Sequence, residues 1–88
     1  MTYDRFIKTL NKSIQGQILA FDEQDGDLRL LLRDGLKQVL ITQAVLEKEP
    51  EEAIYTLRDF IRDGQWESDE ITVTLRDGEP SIEVPAVA

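Results

Sequence analysis

The chain has 88 residues, which is enough for a single domain built around one hydrophobic core. Its net charge of −8 at neutral pH, from eighteen acidic and ten basic side chains, disfavours binding to nucleic acid or to an anionic membrane surface. The absence of cysteine and histidine excludes disulfides, thiolate metal ligands, a thiol nucleophile and a histidine base. We therefore expect a folded, non-catalytic domain that needs no cofactor.

The first segments of the chain predict a helix followed by a strand. Apolar residues recur at helical spacing across residues 3–12, and Thr2 is suited to cap that helix. Residues 17–21 fit a first strand, and the acidic stretch 22–27 fits a solvated loop rather than a calcium site, because its acids do not follow the EF-hand spacing. Residues 1–5 lack the features of a secretory signal, and no apolar run is long enough to span a membrane, so we expect a cytoplasmic protein.

Residues 28–41 predict a β-hairpin around Asp34-Gly35, a dipeptide typical of two-residue turns. Counting outward from that turn pairs Leu30 with Val39 and Leu28 with Ile41, and paired residues share one face of a sheet. One face of the hairpin is therefore apolar and should join the core; its members are Leu28, Leu30, Leu32, Val39 and Ile41.

A second helix is predicted over residues 50–63. Proline is tolerated in the first turn of a helix, and the two glutamates after Pro50 favour the positive end of the helix dipole. Gly64 is placed to cap the other end of this helix. The preceding residues 43–49 fit no single element.

The last segment predicts another hairpin, with strands 71–76 and 79–84 around Asp77-Gly78. Pro80 has no N–H to donate, which places the final strand at an edge of the sheet. Pro85 should end that strand and leave residues 85–88 as a short loose tail after a domain of residues 1–84.

The element order is therefore helix, three-stranded meander, helix and hairpin. It predicts an α+β fold with a single antiparallel sheet of about five strands and two helices. This order resembles that of type III secretion chaperones, which are acidic dimers that bind partner chains, although the chain lacks their long final helix. The resemblance implies a chaperone-like protein that forms a dimer.

Candidate chemical motifs have structural explanations. Arg-Asp-Gly occurs at residues 33–35, 62–64 and 76–78, where turns and a helix end favour Asp and Gly for backbone reasons. The acids at residues 67–70 lie in a polar segment and not in an apolar pocket that would tune them for acid–base catalysis. Trp66, the single tryptophan, either packs on the end of the second helix or anchors a partner.

The back of the first hairpin is the candidate site. The predicted register places Leu31, Leu36 and Leu40 on the face opposite the core, beside Arg29 and Arg33. A solvated sheet face should be polar, so something must cover these leucines. The cover is either the N-terminal helix or a partner chain, with the leucines as anchors and the arginines at the rim.

These observations favour a non-catalytic protein–protein interaction module, such as an assembly factor or chaperone-like adaptor. Its partner would be another protein or, in a homodimer, a second copy of the chain. The alternative is an acidic inhibitor or nucleic-acid mimic that acts through charge. Salt separates the two, because ions screen charge mimicry and leave apolar contacts intact.

Overall fold

A computed structural model describes residues 2–63 and 68–84 of the chain. The protein is an α+β fold with a five-stranded sheet and, in the described residues, three α-helices. The elements in chain order are α1 Tyr3–Ser13, β1 Ile18–Gln24, β2 Asp27–Leu32, a 3-10 turn Asp34–Leu36, β3 Gln38–Ile41, α2 Gln43–Lys48, α3 Pro50–Asp63, β4 Glu70–Arg76 and β5 Glu79–Glu83.

The two predicted helices are confirmed. In α1 the Thr2 hydroxyl accepts a hydrogen bond from the Arg5 amide at 3.2 Å, so Thr2 caps the helix as expected. Helix α3 begins at Pro50 and runs to Asp63. The residues between β3 and α3, which fitted no element, form the short helix α2. Gly64, Trp66 and the tail 85–88 lie outside the described residues.

The sheet is mixed, so the expectation of a purely antiparallel sheet was wrong. Its strand order is β1-β2-β3-β4-β5, and β3 pairs with β4 in parallel while the other neighbours are antiparallel. The reason is the connection over residues 42–69, in which two consecutive helices carry the chain back to the end of the sheet where β3 began. A crossover of this kind produces parallel neighbours.

All three helices contribute to one hydrophobic core on one face of the sheet. The predicted core residues of the first hairpin are confirmed, because each of them is buried. Helix α1 contacts α3 and shares this core, so it does not cover the other face of the sheet. The core consists of Phe6, Ile7, Leu10, Ile14, Leu28, Leu30, Leu32, Val39, Ile41, Val45, Leu46, Ala53, Ile54, Leu57, Ile71 and Val73.

The acidic stretch 22–27 is mostly strand and not the loop that was expected. Strand β1 extends to Gln24, which pairs with Asp27 across the two-residue turn Asp25-Gly26. Both turn residues have positive φ, 52° and 87°, as a type I′ turn requires. The predicted meander had placed a hairpin loop here, but the turn takes only Asp25-Gly26, and the other four residues of the stretch extend the two strands.

The hairpin formed by β2 and β3 has the predicted register, with Leu28 opposite Ile41 and Leu31 opposite Gln38. Its turn is not the predicted two-residue turn, because a 3-10 turn occupies Asp34–Leu36. The Leu32 amide donates to the Lys37 carbonyl at 2.8 Å, which leaves the four residues 33–36 in the loop.

The hairpin formed by β4 and β5 is confirmed. Arg76 pairs with Glu79 across the two-residue turn Asp77-Gly78, where both φ values are positive. Strand β5 is an edge of the sheet, as Pro80 indicated. None of the described helices is long and apolar enough to cross a membrane.

Candidate functional site: the open face of the sheet

The surface opposite the core is set by the strand register. Residues paired across neighbouring strands share a face, and those out of phase with the core residues point away from the helices. We call this surface the open face. Its members, from β1 to β5, are Ala20, Asp22, Arg29, Leu31, Gln38, Leu40, Glu70, Thr72, Thr74, Arg76, Glu79, Ser81 and Glu83.

The centre of the open face is apolar. Ala20 pairs with Leu31, and Leu40 lies diagonally across from Leu31 because it pairs with Arg29 on the same strand. Both leucines are only partly buried and neither belongs to the core. The three side chains therefore form a small apolar patch on three neighbouring strands, which we call the central patch.

Polar and charged residues surround the central patch. Asp22 pairs with Arg29, and the Arg29 guanidinium donates to the Gln24 side-chain carbonyl at 2.7 Å. On the other side, Thr74 and Glu83 side chains are linked at 3.4 Å. An apolar centre with a polar rim is the usual anatomy of a protein-binding surface.

Two of the predicted site residues lie outside the open face. Leu36 belongs to the 3-10 turn and not to a strand; it is 62% exposed. The Arg33 guanidinium donates to the Gly16 carbonyl at 3.2 Å, and the Arg33 amide donates to the Gln17 carbonyl at 2.8 Å. Arg33 therefore ties the β2–β3 turn to the segment between α1 and β1, while Trp66 lies outside the described residues.

The structure thus brings together three of the predicted site residues, Arg29, Leu31 and Leu40. It adds Ala20, which lay in the predicted first strand but was not assigned to the site. It also adds Asp22, which was missed because that strand was ended at residue 21 and residues 22–27 were made a loop. Asp25-Gly26 is itself a two-residue turn signal. Counting back from it along β1 places Ala20 and Asp22 on the same face of the sheet.

A concavity lies beside the β4–β5 turn and shares Glu79 with the margin of the open face. It has a volume of about 300 Å³ and is lined by Glu49, Glu52, Thr56, Gly78, Glu79 and Pro80. Its three glutamates give it a strongly acidic lining, yet within residues 2–63 and 68–84 no group of acidic side chains is arranged to hold a metal ion. The open face therefore remains the better candidate for a functional site.

Comparison with family models, with curated proteins and with solved structures gave no match for this chain. The resemblance to type III secretion chaperones gains no support from these comparisons. The mixed sheet and the paired helices α2 and α3 also depart from the element order on which that resemblance was based. A fold does not by itself determine function, which depends on the chemistry of the surface.

Proposed function

We propose that the protein is a non-catalytic protein–protein interaction module that binds its partner through the open face. The observation that supports this most is the one-sided core. Because α1, α2 and α3 all contribute to the same core, the described residues include no element that covers Leu31 and Leu40. A partner chain that buries them gains hydrophobic free energy that the isolated domain does not.

The chemistry of the open face supports protein binding over catalysis. Its apolar anchors are two leucines on adjacent strands, and Arg29 beside them has the planar guanidinium that is enriched at protein interfaces. The sequence contains neither histidine nor cysteine, the commonest general base and the strongest natural nucleophile. An adaptor or assembly factor needs none of these groups.

The test replaces Leu31 and Leu40 together with Ser. Each leucine acts as an anchor, so partner affinity should fall at least tenfold while the melting temperature changes little, because neither side chain belongs to the core. Light scattering reports whether the wild-type chain is a homodimer, and affinity capture reports a different partner. Leu36→Ser is the matched control, since it removes an exposed leucine that lies in the turn.

If the double variant unfolds while the wild-type chain is monomeric and binds nothing, the leucines stabilise the fold and the open face is no binding surface. Unchanged dimerisation or partner capture in a folded double variant contradicts the proposal equally.

A second candidate is an acidic inhibitor or nucleic-acid mimic, which the net charge of −8 favours. The same binding measurement separates it from the first. Affinity that falls steeply with added salt and is unchanged in Leu31→Ser/Leu40→Ser supports charge mimicry, whereas affinity that persists in high salt and requires the leucines supports the open face.

A further inference from the structure

We propose that the free edge of β1 binds an extended peptide strand that carries basic residues next to apolar ones. The peptide would add to the sheet as a sixth, antiparallel strand. This edge adjoins the open face at Ala20 and Asp22, but the bonds that the peptide would make are those of the β1 backbone and not contacts with Leu31 and Leu40.

Among residues 2–63 and 68–84, no strand pairs with the outer edge of β1. It is seven residues long, and six of them are exposed, including Phe21 at 57% and Leu19 at 48%. The opposite edge is different: β5 contains Pro80, contacts α3, and has partly buried residues at its centre. Long edges with exposed apolar side chains are the sites where added strands pair.

The register shows which backbone groups of β1 are available. Gln24 and Asp27 flank the two-residue turn, so they exchange both of their hydrogen bonds. Because bonded and non-bonded pairs alternate along an antiparallel ladder, Ala20, Asp22 and Gln24 bond to β2. The N–H and C=O groups of Phe21 and Glu23 point outward from the edge.

An irregularity limits how far a partner strand can pair. The register shifts between Ile18 and Ala20, and the Ile18 amide already donates to the Asn11 side chain at 3.0 Å. Such a bulge interrupts regular pairing beyond it. The accessible edge is therefore the segment 20–24.

Charge determines which strand fits. Segment 20–24 and the following turn contain Asp22, Glu23 and Asp25, and residues 18–28 contain no lysine or arginine. A second copy of the chain would bring the same acids to the junction, and two chains of net charge −8 repel each other. A strand with basic residues opposite Asp22 and Glu23 gains attraction at both positions, less at Asp22 because that residue already pairs with Arg29 of β2.

The residues on the two faces of β1 determine where the peptide should be apolar. Phe21 shares the core side of the sheet with Leu30, while Ala20 shares the open face with Leu31. Residues opposite these two should be apolar. Read from its N-terminus, the antiparallel partner therefore carries two basic residues followed by two apolar ones.

The probe is a short synthetic peptide with the central sequence lysine-arginine-phenylalanine-valine, titrated by fluorescence anisotropy. Glu23→Pro removes an outward N–H without removing a bond to β2, and should reduce affinity at least tenfold in a folded protein. Asp22→Asn/Glu23→Gln keeps the backbone and should weaken binding roughly fivefold. The control Glu51→Gln/Glu52→Gln makes the same charge change on α3 and should bind as the wild type does.

Amide hydrogen exchange identifies the surface that the peptide occupies. The amides of Phe21 and Glu23 should become protected only when the peptide is bound, whereas those of Ala20, Asp22 and Gln24 are protected throughout. The proposal is overturned if the peptide does not bind, if the outward amides stay unprotected, or if both charge variants weaken binding equally. Binding that is lost in Leu31→Ser/Leu40→Ser but kept in Glu23→Pro assigns the peptide to the open face instead.

Discussion

At the scale of single residues, the cap of α2 is made by Asp27 and not by Thr42, which occupies the N-cap position. Thr42 precedes the first residue of α2, yet its hydroxyl makes no capping bond and is buried without a partner. The Asp27 carboxylate, from the start of β2, accepts a hydrogen bond from the Gln43 amide at 2.9 Å. The cap of α2 therefore comes from another element, and it also fixes the β1–β2 turn against that helix.

This arrangement predicts opposite outcomes for two substitutions. Asp27→Ala removes the cap and should lower the free energy of unfolding by about 1 kcal/mol, while Asp27→Asn keeps an acceptor and should cost less. Thr42→Val removes an unpaired hydroxyl at nearly constant volume and should leave stability unchanged or raise it by up to about 1 kcal/mol. Urea unfolding measures both, and a Thr42→Val protein less stable than Asp27→Ala would contradict this assignment.

Tyr3 makes a second long-range contact with the same turn. Its hydroxyl donates a hydrogen bond to the Gly26 carbonyl. Burial raises the pKa of the Tyr3 phenol above its ordinary value, and the nearby carboxylates of Glu23, Glu47 and Asp27 raise it further. The folded protein thus holds the Tyr3 proton more tightly than the unfolded chain does.

The raised pKa of Tyr3 predicts a loss of stability at alkaline pH. Its contribution is fully present below the ordinary phenol pKa of 10.0 and is lost as the pH rises through the higher folded-state pKa, because the phenolate cannot donate to Gly26. Urea unfolding across this range should show a steeper decline for the wild type than for Tyr3→Phe. Tyr55→Phe is the control and should follow the wild type; parallel curves for Tyr3→Phe and the wild type would refute the assignment.

At the scale of elements, the Asp-Gly dipeptides do not all form the same turn. Those at 25–26 and 77–78 have positive φ at both residues and form two-residue turns. In the β2–β3 loop the positive φ values fall one residue later, on Gly35 at 69° and Leu36 at 52°. In this loop the Arg33 amide donates to the Gln17 carbonyl and not across the hairpin, so Arg33 does not pair with Leu36 as the residue before a two-residue turn would.

These turns predict a matched pair of substitutions. Gly78→Ala should lower stability by about 1 kcal/mol, because alanine disfavours positive φ, and Gly78→Asn should lower it less. Leu36→Asn should raise stability by a fraction of that amount, since Leu36 has a positive φ and buries little surface. Thermal unfolding monitored by circular dichroism measures all three. A destabilised Leu36→Asn protein would show that Leu36 contributes packing that outweighs its backbone strain.

Local patterns account for the elements that were predicted correctly. The alternation of apolar and polar residues around Asp34-Gly35 and Asp77-Gly78 predicted the core residues and the strand registers. A shift of one residue would move every apolar side chain to the other face of the sheet, so few registers are possible. The helices α1 and α3 followed from apolar spacing and from Thr2 and Pro50. Helix α2 has only six residues, and Thr42 before it does not make the capping bond, which comes from Asp27 on β2. Its own sequence was therefore too short a signal to predict it.

At the scale of the whole molecule, the pairing of β3 with β4 could not be predicted. Nothing in either strand distinguishes a parallel neighbour from an antiparallel one; the direction is set by the crossover and by the shared core. The side of the sheet that α1 would cover was likewise undetermined. The apolar side of α1 could have packed on either face of the sheet, and its contact with α3 places it on the core face. The position of Leu31 and Leu40 on the open face was therefore predictable, but it was not predictable that all three described helices would lie on the other face.

The parallel pairing of β3 with β4 also predicts an order in which the sheet assembles. Strands β1, β2 and β3 are joined by short turns, so they can pair while the rest of the chain is still unfolded. Pairing β4 with β3 closes the loop of residues 42–69, and this closure costs entropy which the burial of Ile71 and Val73 must offset. We therefore expect the meander to form first and the C-terminal hairpin to join the sheet after it.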